Sequence, residues 1–282
     1  MHKFKTLIIK DLWIYKKSLL IPFWITAGFY ILIILSFGVA YFKGDLNFNM
    51  LDIQEASPLS AVNYIVNFAI VWFPGLMSLI FTVMLTQGAL NEDVRKNCEL
   101  FHRSQPVSVW YRTGSKYLTG IVGNWVVLLI IALFNFIVIN IILALFHQCV
   151  FSTAFAGLVQ SYISFIKTGL IIGSITFFLS VVFKDKAFLQ GFAVLLAVQI
   201  LFLILNTLLN WKLPLPLSYL VKLLKTTSIE EFEVDASIEE ISNFISRNWN
   251  AILFNWKTLV QLVFSGVLFA GATLIYKSKE IK

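Results

Sequence analysis

The sequence predicts an all-α polytopic membrane protein, and three observations support this fold class. The 282 residues are 59% hydrophobic and only 13% charged, about half the charged fraction of a soluble domain. Several apolar windows exceed the roughly 20 residues that cross the hydrocarbon core of a bilayer. These windows are continuous rather than alternating, and backbone groups at membrane depth must be hydrogen-bonded within the protein, which favours helices over a barrel of strands.

We predict six membrane spans. They cover approximately Leu19–Tyr41, Ala61–Gln87, Tyr117–Phe146, Gly157–Phe183, Phe188–Asn210 and Trp256–Tyr276. The side that then carries both termini holds 15 of the 22 Lys and Arg residues. Because such residues concentrate on the cytoplasmic side, we expect a multi-pass protein of the cytoplasmic membrane with both termini inside. This placement accounts for the net charge of +7 without a nucleic-acid partner.

Residues 1–18 are predicted to form an amphipathic interfacial helix. At 100° per residue, Phe4, Leu7 and Leu12 fall on one face, whereas Lys3 and Lys10 fall on the other. This pattern is typical of a helix that lies among lipid headgroups with its lysines toward anionic lipid, so membrane lipids are expected partners. The alternative is an ordinary positive flank of the first span.

Two features inside the spans are candidate conduit or hinge elements. Pro74 and Gly75 lie near the middle of the second span, where proline removes a backbone hydrogen bond and a kink is expected. The kink could serve as a hinge or only as a packing feature. Lys167 lies about ten residues from the outer end of the fourth span as predicted. It could line a conduit, or its ammonium could reach the headgroups.

Residues 211–255 form the predicted outer segment between spans five and six. Pro214 and Pro216 predict an extended break. A short amphipathic helix should follow at Leu217–Lys225, and a second should begin at Ser237, which is suited to an N-cap. The asparagines of the third span are predicted to hydrogen-bond to neighbouring helices. No repeat divides the chain, so residues 1–282 are read as one domain.

The sequence offers no catalytic constellation and no set of metal ligands. His2, His102 and His147 are scattered along the chain, and no glycine pair is followed by the lysine of a phosphate-binding loop. We therefore expect that the chain is not an enzyme and binds no cofactor itself. If ATP drives transport, ATP and Mg²⁺ belong to a partner. Cys98 and Cys149 fall on opposite sides of the predicted bilayer, so no disulfide is expected.

The polar stretch 88–116 is the longest on the predicted cytoplasmic side. Asn91 and Glu92 favour a helix start, the helix should end before Pro106, and Ser108 can cap the next helix. Apolar residues such as Leu100 and Phe101 persist among the charges. This pattern favours a short helix that docks on a cytoplasmic partner, whereas the alternative is a plain polar connection.

The run from Glu92 to Ser108, which holds Asn97-Cys98-Glu99-Leu100 and Pro106-Val107-Ser108 and is followed by Gly114 and Lys116, resembles the first cytoplasmic loop of ABC type-2 (exporter) permeases. The layout is also similar: an amphipathic N-terminal helix, six spans, both ends inside and an outer helical segment. In that family a Gly-Thr pair stands where this chain has Asn97-Cys98.

The resemblance implies that the chain is the permease subunit of an ABC exporter and that 88–116 is its coupling segment, inserted into an ATP-hydrolysing partner. A second permease subunit would complete the transporter as a homodimer or heterodimer. The implied docking residues are Glu92, Arg95, Glu99, Leu100, Phe101 and Arg103.

The alternative function is a non-transporting membrane scaffold or assembly protein that docks a cytoplasmic partner through the same segment. An intramembrane enzyme is disfavoured by the missing catalytic groups. The residues do not select a substrate among lipid-linked glycan, peptide, lipid and hydrophobic drug.

Overall fold

The computed structural model describes residues 2–43, 59–91, 107–145, 150–183, 186–224 and 238–280, and these residues are all-helical with no strand. The helices found in this part of the chain are α1 (His2–Lys43), α2 (Leu59–Ala69), α3 (Trp72–Gly88), α4 (Val109–Leu145), α5 (Phe151–Val182), α6 (Ala187–Leu209), α7 (Pro216–Leu224), α8 (Ile238–Leu253) and α9 (Trp256–Glu280). The predicted helical fold class is confirmed at this level.

Among the described residues, five helical stretches are long and apolar enough to cross a membrane, which gives the chain the character of a multi-pass membrane protein. They are Leu59–Gly88, Val109–Ala144, Phe151–Val182, Ala187–Leu209 and Ser242–Lys279. Each overlaps one predicted span. The remaining predicted span, Leu19–Tyr41, lies inside α1 and is not one of the five, so a total of six stays a prediction.

Helix α1 is continuous over 42 residues, about 63 Å at 1.5 Å per residue. The predicted interfacial helix and the predicted first span are therefore parts of one helix. Part of the face that the sequence assigned to lipid packs on protein, since Tyr15 packs against a buried cluster of Leu19, Leu85 and Val127, whereas Leu12 is 37% exposed. Packing against α3 and α4 thus accounts for part of the apolar stripe, and an orientation in the plane of the membrane stays a prediction.

Helix α5 is the centre of the bundle and packs against α2, α3, α4 and α9. Small residues allow this close approach: a Cβ added to Gly157 would lie 2.5 Å from the backbone oxygen of Tyr64 on α2. In α5, 44% of the most apolar window is buried, whereas none of the corresponding window of α6 is. Helix α6 therefore lies at the periphery of the bundle.

Asparagine side chains connect α4 to its neighbours, as predicted for packing asparagines. The pairs are Asn124 with Ser78 and Thr82 of α3, Asn135 with Tyr30 of α1, and Asn140 with Asn67 of α2. These contacts pair amide and hydroxyl groups that would otherwise be buried without a hydrogen-bond partner.

The segment between α6 and α9 folds back along the bundle. Residues 210–215 are non-helical, as the prolines predicted, and α7 has nearly the predicted bounds. Helix α8 runs beside α5, because Gln160 donates to the carbonyl of Ile245 at 3.0 Å and Lys167 donates to that of Ile252 at 2.7 Å. The predicted cap of α8, Ser237, lies outside the described residues.

Both terminal helices reach the same end of the bundle. Ser115, near the start of α4, hydrogen-bonds Asp11 of α1, whereas Thr113 contacts Thr273 of α9 at 3.1 Å. Lys279 of α9 donates to the carbonyl of Val181 at the end of α5. We call this the basic end. It holds the residues at which α3, α5 and α9 end and α4 and α6 begin.

Candidate partner-docking site

The central part of the predicted coupling segment lies outside the described residues. The six predicted docking residues are all in that part: Glu92, Arg95, Glu99, Leu100, Phe101 and Arg103. Their role in docking stays a prediction. The structure instead describes the two ends from which this segment emerges, Gly88–Asn91 and 107–116, and both ends are at the basic end of the bundle.

Asn91 fixes the chain where it enters the segment. Its side-chain amide donates to the backbone oxygens of Ser180 and Phe183, the second at 2.9 Å. Ser180 is in the last turn of α5 and Phe183 directly follows the helix, where carbonyl groups have no partner within the helix. The adjacent Leu90 is 1% exposed and packs with Phe177 of α5. The exit from α3 is therefore tied to the end of the central helix.

Ser108 and Lys116 fix the chain where it leaves the segment. The backbone N–H of Tyr111 donates to the Ser108 hydroxyl oxygen. This hydrogen bond confirms the predicted N-cap of α4 and, at 3.4 Å, is a long one. The Lys116 ammonium donates to the carbonyl of Ala89 at 2.7 Å. Since Ala89 directly follows α3, this bond joins the entry of the segment to its exit.

Two buried charged residues extend this connection to α1. Asp11 and Lys116 are 3% and 7% exposed. Asp11 accepts a hydrogen bond from Ser115, the residue before Lys116. Burial of charged groups is costly unless they are hydrogen-bonded and their charge is compensated. The hydrogen bonds of these two residues therefore fix one arrangement of α1, α3 and α4.

These contacts form a frame around the predicted docking segment, made of Asp11, Ala89, Asn91, Ser115 and Lys116. A displacement of the segment would act on α5 through Asn91, and on α1 and α3 through Ser115 and Lys116. Buried hydrogen bonds of this kind resist independent movement of the helices they join. The frame therefore ties the ends of the segment to four helices of the bundle.

Pro74 and Gly75 lie in the first turn of α3, just after an interruption at Ile70 and Val71 that separates α2 from α3. Proline is well accommodated in a first turn because its missing N–H has no helical partner there. A Cβ at Gly75 would lie 2.6 Å from the ring of Phe165. Both residues are buried, and Gly75 packs against α5, which supports the packing alternative; a hinge role stays a prediction.

The side chain of Lys167 on α5 hydrogen-bonds residues on both sides of the break between α8 and α9. Its ammonium donates to the carbonyl of Ile252 and to the hydroxyl of Thr258, both at 2.7 Å. A cation at the carbonyl end of a helix is favoured by the helix dipole. Lys167 therefore caps α8, a role that neither sequence alternative included, and a place in a conduit stays a prediction.

Within the described residues, no group of three or more His, Cys, Asp or Glu side chains could hold a metal ion. Comparisons with family models, curated proteins and solved structures find no match to this chain. The resemblance of the 88–116 segment to a known family therefore rests on its sequence alone.

Sequence reasoning did not assign roles to Asp11 or to the pairing of Asn91 with α5. Asp11 gave a usable signal, since it is an acid on the apolar face of an amphipathic helix and such a residue needs a buried partner. Asn91 was interpreted as a local cap for the docking helix. Its contacts lie about 90 residues away along the chain, so the sequence gave no indication of them.

Proposed function

We propose that this chain is the membrane permease subunit of an ABC exporter, and that segment 88–116 docks on a separate ATP-hydrolysing subunit. The observation that supports this most directly is the frame of buried hydrogen bonds at both ends of the segment. A plain connecting loop would not require Lys116 to bond Ala89 or Asn91 to bond the end of α5. A segment that receives force does require such ends.

The frame suggests how the partner would act on the bundle. Closure of paired ATPase subunits on ATP would move the docked segment, and Asn91 would pass that movement to α5 while Lys116 passed it to α3 and α4. Because α5 packs against most of the other helices, the result would be a rigid-body movement of the spans. ATP and Mg²⁺ are held by the partner in this proposal.

The proposed orientation places the basic end in the cytoplasm, in agreement with the predicted excess of Lys and Arg there. Helix α1 supports a sixth crossing. It runs beside α4 in the same direction, because Asp11 contacts Ser115 and Tyr30 contacts Asn135. The two contacts are separated by 19 residues in α1 and 20 residues in α4, about 30 Å of helix, which is the thickness of the hydrocarbon core.

Co-purification tests this function. The tagged chain in mild detergent should retain a stoichiometric subunit with vanadate-sensitive ATPase activity. The charge reversals Glu99→Lys and Arg103→Glu should reduce that recovery, because rim charges steer and orient docking, while membrane insertion is unchanged. The matched control is Lys277→Glu, a reversal of an exposed charge at the same end of the bundle.

Two outcomes would contradict the proposal. A chain that purifies alone, without ATPase activity in any detergent that keeps it folded, would favour the scaffold function. Recovery that is unaffected by both reversals, or equally affected by Lys277→Glu, would show that the partner docks elsewhere.

A further inference from the structure

A groove of about 430 Å³ lies between α3, α5, α6 and α7, within the range of small-molecule sites. Its walls are apolar side chains together with Thr176. The Thr176 hydroxyl already donates to the carbonyl of Ile172 on its own helix. Unsatisfied polar groups are costly in such surroundings, so the part of a ligand that enters must be hydrocarbon.

Helix α7 closes the groove at about the middle of the bundle. The backbone N–H of Leu217 donates to the side chain of Gln199 at 3.1 Å, and Gln199 lies about 18 Å along α6 from the basic end. The side chain of Asn206 exchanges two hydrogen bonds with the backbone of Leu213, at 2.8 and 3.0 Å. These bonds hold the chain folded back along α6.

The other end of α7 is fixed as well. The buried side chain of Gln261 on α9 donates to the carbonyl of Leu223 at 2.6 Å. Leu217, Leu220 and Leu224 of α7 then face the groove. Because α7 is held at both ends by side chains of two different helices, it forms a fixed roof over the groove.

The exposed part of the groove lining, which we call its mouth, lies toward the basic end. Phe188 and Phe192 of α6 line it, with stacked rings 6.3 Å apart, and are 40% and 45% exposed. Lys186 lies two residues before Phe188, in the turn between α5 and α6, and its side chain is exposed. An exposed cation therefore lies two residues along the chain from the apolar lining at the mouth.

We infer that this groove binds one acyl chain of an anionic phospholipid from the leaflet at the basic end, with the phosphate beside Lys186. The groove lining on α6 runs from Phe188 to Leu195, about 10 Å along the helix, which fits within one leaflet of a hydrocarbon core about 30 Å thick. The charge at the mouth is complementary to a lipid phosphate. A helix from a second copy of the chain would need a groove that is open across the full thickness of the bilayer. Helix α7 covers this groove and leaves no such open face.

Native mass spectrometry of the chain released from nanodiscs of equimolar phosphatidylglycerol and phosphatidylcholine tests this inference. The wild-type chain should retain one phospholipid, with phosphatidylglycerol preferred. Leu195→Trp fills the groove and should abolish retention. Leu196→Trp is the matched control, because Leu196 is on the same helix, 38% exposed and outside the groove.

The charge is tested separately, with a variant at an exposed side chain. Lys186→Gln should lower the preference for phosphatidylglycerol by about fivefold, since a surface lysine contributes on the order of 1 kcal/mol to anionic lipid binding. Lys277→Gln removes a charge at the same end, distant in sequence from the groove, and should leave the preference unchanged.

Three results would overturn the inference: no retained lipid on the wild-type chain, equal retention by Leu195→Trp and Leu196→Trp, or an unchanged lipid preference in Lys186→Gln. A stable dimer that Leu195→Trp dissociates would instead assign the groove to a second copy. None of these readouts involves an ATPase, so this inference and the exporter proposal can fail independently.

Discussion

At the scale of single residues, several helix ends in the bundle are held by side chains of other helices. Asn91 caps α5, Lys116 bonds the carbonyl that follows α3, and Lys167 caps α8. Each satisfies a backbone carbonyl that a helix end leaves without a partner. In an apolar medium such carbonyl groups cannot hydrogen-bond to water, so these side chains determine where the helices end.

Lys116→Met should destabilise the fold by about 2 kcal/mol, because it removes a buried charged donor and leaves the carbonyl of Ala89 without its partner. Lys277→Met is the control, since that side chain is exposed at the same end. Equilibrium unfolding in mixed micelles measures both. Equal stability of the two variants would show that the bond between Lys116 and Ala89 contributes nothing to the frame.

At the scale of helices, the close contact between α2 and α5 depends on Gly157. In Gly157→Ala the added Cβ would lie 2.5 Å from the Tyr64 oxygen and 3.1 Å from the Phe68 nitrogen. The helices must separate, so we expect a loss of about 1–3 kcal/mol in the free energy of unfolding.

Gly266→Ala provides the contrast for that prediction. No atom lies within 4 Å of a Cβ added at Gly266 in α9, and alanine favours helix over glycine by about 1 kcal/mol. This variant should therefore be as stable as the wild-type chain or more so. If Gly157→Ala is equally well tolerated, the contact between α2 and α5 is looser than described.

The sequence predicted helices better than it predicted their partners. Long apolar windows located five of the membrane-length helices, and the prolines near residue 215 located the break after α6. The sequence could not reveal that Asn206 and Gln199 hold that break against α6, because hydrogen bonds across 7 and 18 residues leave no periodic pattern. For the same reason it gave no sign of the contact between Asp11 and Ser115 of α4.

At the scale of the whole molecule, the hydrogen bonds of Asp11 and Lys279 place both terminal helices at the basic end. The two described ends of the predicted docking segment are at this end too. The mouth of the apolar groove is there too. A partner that binds at this end would thus act close to the lipid that we infer, while the folded-back helices α7 and α8 occupy the other half of the bundle.

Cysteine labelling of intact cells tests the orientation of this arrangement. In a chain whose Cys98 and Cys149 are replaced by serine, Ser152→Cys places a thiol at the exposed start of α5, and Ser278→Cys places one near the end of α9. A membrane-impermeant maleimide should modify the first thiol directly and the second only after permeabilisation, because the basic end is expected in the cytoplasm. The reverse order would put the docking segment outside the cell, where no ATP-hydrolysing partner could bind it, and both the orientation and the exporter proposal would be wrong.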